Sequence, residues 1–258
     1  MKLIDTHTHL YVKEFQEDID EVISRAAEEG VEKFYLPSID SSETLPMLDL
    51  EKRFPDNVFA MAGLHPCSVK ENYKEELKKI EQQLSEREFA GIGETGLDFY
   101  WDTTFKKEQV ESLHIHAQWA MQFSRPLVIH TRNSMQETIE VVKEYKAKNL
   151  YGIFHCFGGT SKDAHDIIDS GFSLGIGGVL TFKNSGLAEI IKEVDLRYLV
   201  LETDAPYLAP VPFRGKRNES SYLKFIVQKL AEVKNISVEI VAQQTSKNAE
   251  FLFSVKNS

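Results

Sequence analysis

Short apolar segments alternate with amphipathic helical segments eight times along this chain. Between the apolar segments, residues such as Ile19, Val22 and Ala26 recur at helical spacing until Gly30 ends the pattern. The apolar segments are predicted strands, near 3–8, 33–36, 58–64, 89–93, 127–129, 151–154, 172–176 and 198–201. Strands that alternate with helices are typical of a parallel sheet, since each strand needs a helical crossover. Eight repeats predict the α/β class and a (β/α)8 TIM barrel.

The length of the chain agrees with one such barrel. It has 258 residues, and a TIM barrel typically needs about 250. No linker rich in Pro, Gly or Ser interrupts the sequence, and the segment from about 219 to 254 supplies the last helix and a C-terminal extension. We therefore expect a single domain over residues 1–258.

Two helix starts carry capping signatures. Asn133 with Gln136 three residues later resembles a capping box for the fifth helix. Ser161 is the expected N-cap of the sixth helix, because its hydroxyl can accept a hydrogen bond from a free backbone amide.

Residues of metal-ligand type recur where predicted strands end. In a TIM barrel this is the face where active sites are built. A His-x-His pair alone is more often two buried histidines, but here the same kind of position recurs on several strands. The residues at these positions are His7, His9, His65, Glu94, His130, His155 and Asp204.

The number of these side chains predicts two metal ions. Four histidines and two carboxylates exceed what one four-coordinate ion needs, so two ions that share a carboxylate explain them better. The predicted ligands are His7, His9, Glu94, His130, His155 and Asp204. Glu94 is the candidate bridge, because its strand lies between the strands of the other ligands. Nitrogen and oxygen ligands without thiolates suit Zn²⁺, Mn²⁺ or Mg²⁺, and the choice among them stays open.

A pair of divalent ions favours hydrolysis of a phosphate ester. Two ions about 3.5 to 4 Å apart lower the pKa of a water molecule and stabilise the attacking and leaving oxygens. Asp204 is expected to bind a metal and to orient or deprotonate that water. The other histidines, His114, His116 and His165, fall in predicted helices, and we expect structural or exposed positions for them.

The charge balance limits how a polyanion can bind. The chain has 30 basic and 40 acidic residues and a net charge of −10, so contacts with phosphates must be local. Loops after the seventh and eighth strands carry Lys183, Arg214, Lys216 and Arg217, where barrels often bind phosphate. Tyr100 belongs to an aromatic run, 99–101, that can stack on unpaired bases.

The sequence indicates neither a membrane span nor an obligate protein partner. The N-terminus has no apolar segment typical of a signal peptide. Cys67 and Cys156 are the two cysteines, and neither has zinc-finger or redox-motif spacing. A cytoplasmic location is therefore expected.

Motifs along nearly the whole chain resemble the TatD family of metal-dependent deoxyribonucleases, within the amidohydrolase-like barrels. The motifs are DTHTHL at 5–10, GLHP at 63–66, GETGLD at 93–98, HTR at 130–132, HCFGG at 155–159, TFKN at 181–184, ETDAPYL at 202–208 and RGKRNE at 214–219. They occur in order and together are highly specific. One departure is Ser220, where the family usually has proline.

The resemblance implies roles for several residues. It assigns one metal to His7, His9, Glu94 and Asp204, and the second metal to Glu94, His130 and His155. It also implies that His65 and Arg132 lie near the scissile phosphate and that Glu202 supports the site. The implied activity is exonuclease cleavage of DNA from the 3′ end, with single-stranded ends preferred.

Two other functions remain open at this stage. A barrel hydrolase that acts on a carboxylic ester, a lactone or a cyclic amide would use a similar ligand layout. Many such barrels have a carboxylated lysine where Glu94 stands here. A catalytically silent interaction module is the other alternative, but it predicts lost ligands, and none is lost.

Overall fold

Eight parallel strands alternate with helices, in the order predicted from the sequence. The computed structural model describes residues 1–254, so residues 255–258 of the predicted domain lie outside the described part. The strands are β1 (Leu3–Asp5), β2 (Val31–Leu36), β3 (Val58–Ala60), β4 (Ile92–Asp98), β5 (Leu127–Arg132), β6 (Gly152–Phe154), β7 (Phe172–Ile176) and β8 (Leu199–Leu201). The predicted (β/α)8 barrel is confirmed.

Amphipathic helices surround the strands. In α1 the apolar side chains predicted to share one face, Ile19, Val22, Ile23 and Ala26, are buried, while charged residues face outward. The helices within residues 1–254 are α1 (Ile19–Glu28), α2 (Thr44–Arg53), α3 (Tyr73–Glu86), α4 (Lys106–Gln122), α5 (Met135–Lys143), α6 (Ser161–Asp169), α7 (Leu187–Glu193), α8 (Leu223–Lys234) and α9 (Val238–Phe253).

Two joints close the strands into a barrel. Strands β1 to β3 form one hydrogen-bonded group and β4 to β8 form another. Ala62, just beyond β3, pairs in parallel with Ile92 of β4. The backbone amide of Thr6 donates to the carbonyl oxygen of Leu201 at 3.0 Å, which joins β1 to β8. The ring of strands is therefore complete, and all carboxyl ends meet at one mouth.

The opposite end of the barrel is filled by apolar side chains from α9. The ring of Phe253 stacks on Tyr35 of β2, with centroids 3.6 Å apart. The polar cluster lies at the other end, where the carboxyl ends of the strands meet. The packed group consists of Ile4, Tyr35, Met61, Val128, Ile153, Val200, Ala249, Leu252 and Phe253.

The strand ends differ from the predicted ones. Strand β1 ends at Asp5, before His7, whereas β4 continues past Glu94 to Asp98 and β5 continues to Arg132. A strand persists while its backbone pairs with a neighbour, and Asp98 pairs with Arg132 across β4 and β5. Apolar alternation does not reveal this pairing, because both residues are polar.

Both predicted helix caps were wrong in detail. Ser134, not Asn133, precedes α5, and Asn133 adopts a left-handed backbone with φ of 53°. Asparagine tolerates this conformation, so it serves the turn before the helix. In α6 the N-cap is Thr160, which forms a capping box with Asp163, and Ser161 is the first helical residue.

Candidate metal centre

Glu94 lies at the centre of the polar cluster and presents one carboxylate oxygen to a first group of ligands. Its Oε2 lies 3.2 Å from Nε2 of His7 and 3.5 Å from Nε2 of His9. Oδ1 of Asp204 lies 3.7 Å and 3.6 Å from the same two nitrogens. Two nitrogens and two carboxylates thus converge on one point.

The other oxygen of Glu94 faces a second group. Its Oε1 lies 2.8 Å from Nε2 of His155, 3.0 Å from Nδ1 of His130 and 3.5 Å from Nε2 of His65. The structure therefore brings all six predicted ligands together around Glu94. It adds His65, which forms a compact three-residue group with Glu94 and His130.

The backbone of β4 allows Glu94 to lie this close to β5. Gly96 pairs with His130 in the parallel register, and a Cβ atom on Gly96 would lie 2.0 Å from the carbonyl oxygen of His130. Its φ of 140° also disfavours other residues. Glycine is thus required for the approach that sets Glu94 beside His130.

Burial and neighbouring charges set the protonation of the cluster. Burial alone would raise the pKa of the Glu94 carboxyl, but the imidazoles of His155, His65 and His7 hold it well below its usual range. Burial, together with His155, lowers the pKa of His7 to about 4. His7 is therefore a neutral imidazole beside an ionised carboxylate, the state that a cation needs, whereas Glu94 raises the pKa of His155 well above its usual value, so a cation has to displace the proton of His155.

Asp204 differs from Glu94, because burial raises its pKa to about 8. A cation in the cluster would stabilise its ionised form and oppose the effect of burial. Its backbone amide donates to the carbonyl oxygen of His7 at 2.9 Å, which ties the loop after β8 to the segment after β1.

The unpaired nitrogens of His7 fit a metal ligand. This side chain is fully buried, yet neither ring nitrogen has a hydrogen-bond partner within residues 1–254. Buried polar groups are rarely left unpaired, and a metal ion would satisfy the nitrogen that faces Glu94. The nitrogen and oxygen donors of the cluster fit Zn²⁺, Mn²⁺ or Mg²⁺.

The sequence and the fold both match known proteins over nearly their whole length. The family model described as TatD related DNase matches residues 4–254. The chain belongs to the TatD family. The "Uncharacterized metal-dependent hydrolase YabD" of Bacillus subtilis (strain 168) is 35% identical over 254 residues, which cover 98% of this chain and 99% of that protein.

Two further relatives place the chain within the TatD family. The "3'-5' ssDNA/RNA exonuclease TatD" of Erwinia tasmaniensis is 29% identical over 259 residues, with 98% of this chain and 100% of that protein covered. The crystal structure of YJJV, a TatD homologue from Escherichia coli K12, aligns with a TM-score of 0.92 at 26% identity over 98% of both chains. The chain is a TatD-family metal-dependent hydrolase.

Sequence reasoning missed two residues that contact histidines of the candidate metal centre. The hydroxyl of Tyr11 lies 2.9 Å from Nδ1 of His9, and Oδ2 of Asp98 lies 3.0 Å from Nε2 of His130. Partners of this kind orient a histidine and select its tautomer. Tyr11 stands two residues after His9, and that spacing was the signal available in the sequence.

Glu202 is buried directly behind His155. Its Oε1 lies 3.6 Å from Nδ1 of His155 and accepts a hydrogen bond from the backbone amide of Cys156. A Cβ atom on Gly175 would lie 2.2 Å from Oε2 of Glu202, so glycine makes room for the carboxylate. The role of Glu202 in supporting the candidate metal centre stays a prediction.

The four loop cations predicted to contact substrate lie on the surface of the barrel, and they differ in whether a carboxylate already pairs with them. Lys183, Arg214 and Lys216 are exposed. Arg217 instead forms an ion pair with Asp18 at 2.6 Å. A phosphate would have to compete with that carboxylate, so Arg217 is the least available of the four.

Arg132 lies at the rim with the predicted aromatic run. Its guanidinium group lies over the ring of Tyr100 at 4.0 Å and over that of Trp101 at 5.0 Å. Tyr100 and Trp101 are 52% and 66% exposed. A cation and two exposed aromatic rings thus meet beside the candidate metal centre, an arrangement that can bind a planar or anionic ligand.

The three histidines assigned to helices lie outside the centre. His116 is buried, and its Nε2 accepts a hydrogen bond from the amide of Leu64 at 3.0 Å. His114 pairs with the hydroxyl of Tyr145, and His165 is exposed. Their predicted structural or exposed positions are confirmed. None of the helices in residues 1–254 has both the length and the apolar character needed to cross a bilayer.

Proposed function

We propose that this protein is an exonuclease that removes nucleotides from single-stranded 3′ ends of DNA with the help of two divalent metal ions. The proposal rests on the position of Glu94, because each of its two carboxylate oxygens faces a separate group of candidate ligands. His7, His9 and Asp204 would hold one ion with Oε2, and His130 and His155 would hold the other with Oε1. Two such ions supply Lewis acidity to the phosphate and lower the pKa of water.

The side chains of the centre have separate tasks in this hydrolysis. Oδ1 of Asp204, on the solvent side of His7 and His9, accepts the proton of the attacking water. His65, beside Oε1 of Glu94 at 3.5 Å, hydrogen-bonds to the phosphate. Arg132 adds a positive charge at the rim and holds the phosphate against the cluster.

Three observations support nucleic acid as the substrate. A relative that covers 98% of this chain is named as an ssDNA/RNA exonuclease. The Arg132 guanidinium lies 4.0 Å from the ring of Tyr100 and 5.0 Å from that of Trp101, so a cation and two exposed aromatic rings stand together. The net charge of −10 disfavours extended electrostatic contact with a duplex. A short single-stranded end needs only a few local contacts.

A degradation ladder tests the proposal. End-labelled single-stranded and duplex oligonucleotides are incubated with Mg²⁺ or Mn²⁺, beside a lactone and a cyclic amide, with the Asp204→Asn variant as a control. Stepwise shortening of the single strand from its 3′ end is expected. About three to five neutralised phosphates give a log-log salt slope of roughly −2 to −3.5.

Two other outcomes of this experiment would contradict the proposal in different ways. Turnover of the lactone or the amide with intact oligonucleotides would replace the nuclease by a carbonyl hydrolase. Internal cuts in duplex DNA, independent of ends, would keep phosphodiester hydrolysis and discard the exonuclease.

A further inference from the structure

A slot of about 250 Å³ lies beside the metal centre, between the loop after β3 and the loop after β4. Drug-sized ligands occupy pockets of about 300–1,000 Å³, so this slot suits one planar ring system and excludes a base pair. Pro66, Cys67 and Val69 line one side. Trp101 lines the other side and remains 66% exposed, so a ligand can reach its indole.

Asp98 connects this slot to the metal centre. Its Oδ1 accepts the backbone amides of Tyr100 and Trp101 at 2.9 and 3.1 Å, and its Oδ2 lies 3.0 Å from Nε2 of His130. Gln109 holds Asp98 in turn, because its Oε1 accepts the Asp98 amide at 2.9 Å. One buried carboxylate therefore positions both a candidate ligand and the turn that carries the indole.

The opposite wall is also connected to the centre. The backbone amide of Cys67 donates to Nδ1 of His65 at 3.0 Å, and Nε2 of the same ring lies 3.5 Å from Oε1 of Glu94. Both walls of the slot are thus held by side chains that contact the second ligand group. Asp98 and the segment 65–67 thus connect the slot directly to the second ligand group.

We propose that the slot binds an unpaired nucleobase next to the scissile phosphate, which stacks on the indole of Trp101. This inference rests on the proposed exonuclease function and names the recognition element that selects single strands. Arg132 lies over Trp101 at 5.0 Å, so its charge reaches the phosphate of the same nucleotide. Lys70 and Asp102, paired at 2.7 Å beside the slot, offer a donor and an acceptor to the base edge.

The chemistry of the slot favours a base over other rings of similar size. Stacking on an aromatic face is tolerant of base identity, since every base has a π face. The slot admits one ring system, so a paired base must first leave its partner. The enzyme should therefore need an intact base, not only a sugar-phosphate chain, at this position.

Fluorescence of Trp101 tests base binding directly. The chain has two tryptophans, and Trp119 is buried in α4. We therefore subtract the fluorescence of a protein with Trp101→Phe from that of an otherwise identical protein with Trp101. The difference is the emission of the exposed indole. A short oligothymidylate, an abasic oligomer of equal length and inorganic phosphate are added in turn to the Asp204→Asn variant, which is expected to leave the oligomers intact. Only the oligomer with bases should quench Trp101.

Kinetics provide a second measurement in the otherwise wild-type enzyme. Trp101→Ala should raise KM for single-stranded DNA by at least about fivefold, with a smaller effect on kcat. Trp101→Phe should restore most of the affinity, because a benzene ring also stacks. An abasic residue at the bound position should penalise the wild type more than Trp101→Ala. Leu45→Ala, which truncates an apolar side chain that is 72% exposed and does not line the slot, is the matched control.

The outcomes separate the slot from the proposed function. Equal quenching by the abasic oligomer, or an unchanged KM in Trp101→Ala with normal digestion of single strands, would overturn the slot and leave the exonuclease standing. Base-dependent quenching without hydrolysis of any oligonucleotide would keep the slot and overturn the exonuclease.

Discussion

The hydroxyl of Tyr11 hydrogen-bonds to Nδ1 of His9 at 2.9 Å and donates its own hydrogen to the carbonyl oxygen of Pro37 at 2.6 Å. A hydroxyl has one hydrogen, so Tyr11 must accept from His9, whose proton therefore resides on Nδ1. The lone pair of Nε2 then points to Glu94 and Asp204, at 3.5 and 3.6 Å. Tyr11 thus selects the tautomer that can bind a metal.

Tyr11→Phe should weaken metal binding about 10- to 100-fold, the usual effect of removing a partner of a ligating histidine. The measurement is a titration of the metal-free protein with Mn²⁺. Tyr73→Phe, which removes a hydroxyl bonded to Glu111 on the outer helices, is the matched control. Equal affinities for the two variants would show that His9 does not depend on Tyr11.

Glu94→Gln should reduce the content of both metal ions, because each carboxylate oxygen faces a different ligand group. The amide keeps the shape of the side chain and removes its charge from among the histidines. Metal analysis after dialysis provides the measurement, and Glu71→Gln, at an exposed position, controls for the loss of one acidic residue. Retention of two ions per chain would refute the bridging role.

Asp204→Asn should keep the fold and lose nearly all turnover. Asp204 has a left-handed backbone with φ of 56°, a conformation that asparagine also tolerates. The amide cannot accept a proton at neutral pH, so the loss should appear in kcat. Circular dichroism checks the fold, and activity within about threefold of the wild type would remove Asp204 from the proposed mechanism.

His116 should make the protein less stable as the pH falls below about 6.5. Burial lowers its pKa from 6.5 to about 4, although the hydrogen bond that Nδ1 donates to the Ser112 carbonyl opposes this shift; Nε2 accepts the Leu64 amide at 3.0 Å. Between these values the unfolded chain binds more protons, so the free energy of unfolding decreases as the pH decreases. Over the whole interval between these two pKa values, the free energy of unfolding decreases by roughly 3 kcal/mol.

Urea denaturation at pH 7 and pH 5 measures this effect. His116→Gln should lose less stability over this interval than the wild type does, by up to about 2 kcal/mol. His165→Gln, at an exposed position, should behave like the wild type. Identical pH dependence of all three proteins would contradict a buried neutral His116.

The sequence by itself determined the fold and the set of candidate metal ligands. Alternating short strands and amphipathic helices leave parallel strands as the consistent arrangement, and the carboxyl ends of parallel strands meet on one face. Residues far apart in the chain, such as His7 and Asp204, could therefore be assigned to one site. The TatD motifs pointed to the same residues, because they lie at the same strand ends.

Only the tertiary structure decided how these residues divide and what holds them. The two oxygens of Glu94 face different groups, and this depends on the close pairing of β4 with β5, where Gly96 meets His130. The strand ends and helix caps also differ from the predicted ones. They depend on pairing with a neighbouring strand and on backbone dihedral angles, which apolar alternation does not reveal. Tyr11 and Asp98 acquire their roles from hydrogen-bond directions, which depend on the path of each loop. Periodicity along a chain carries no information about such directions.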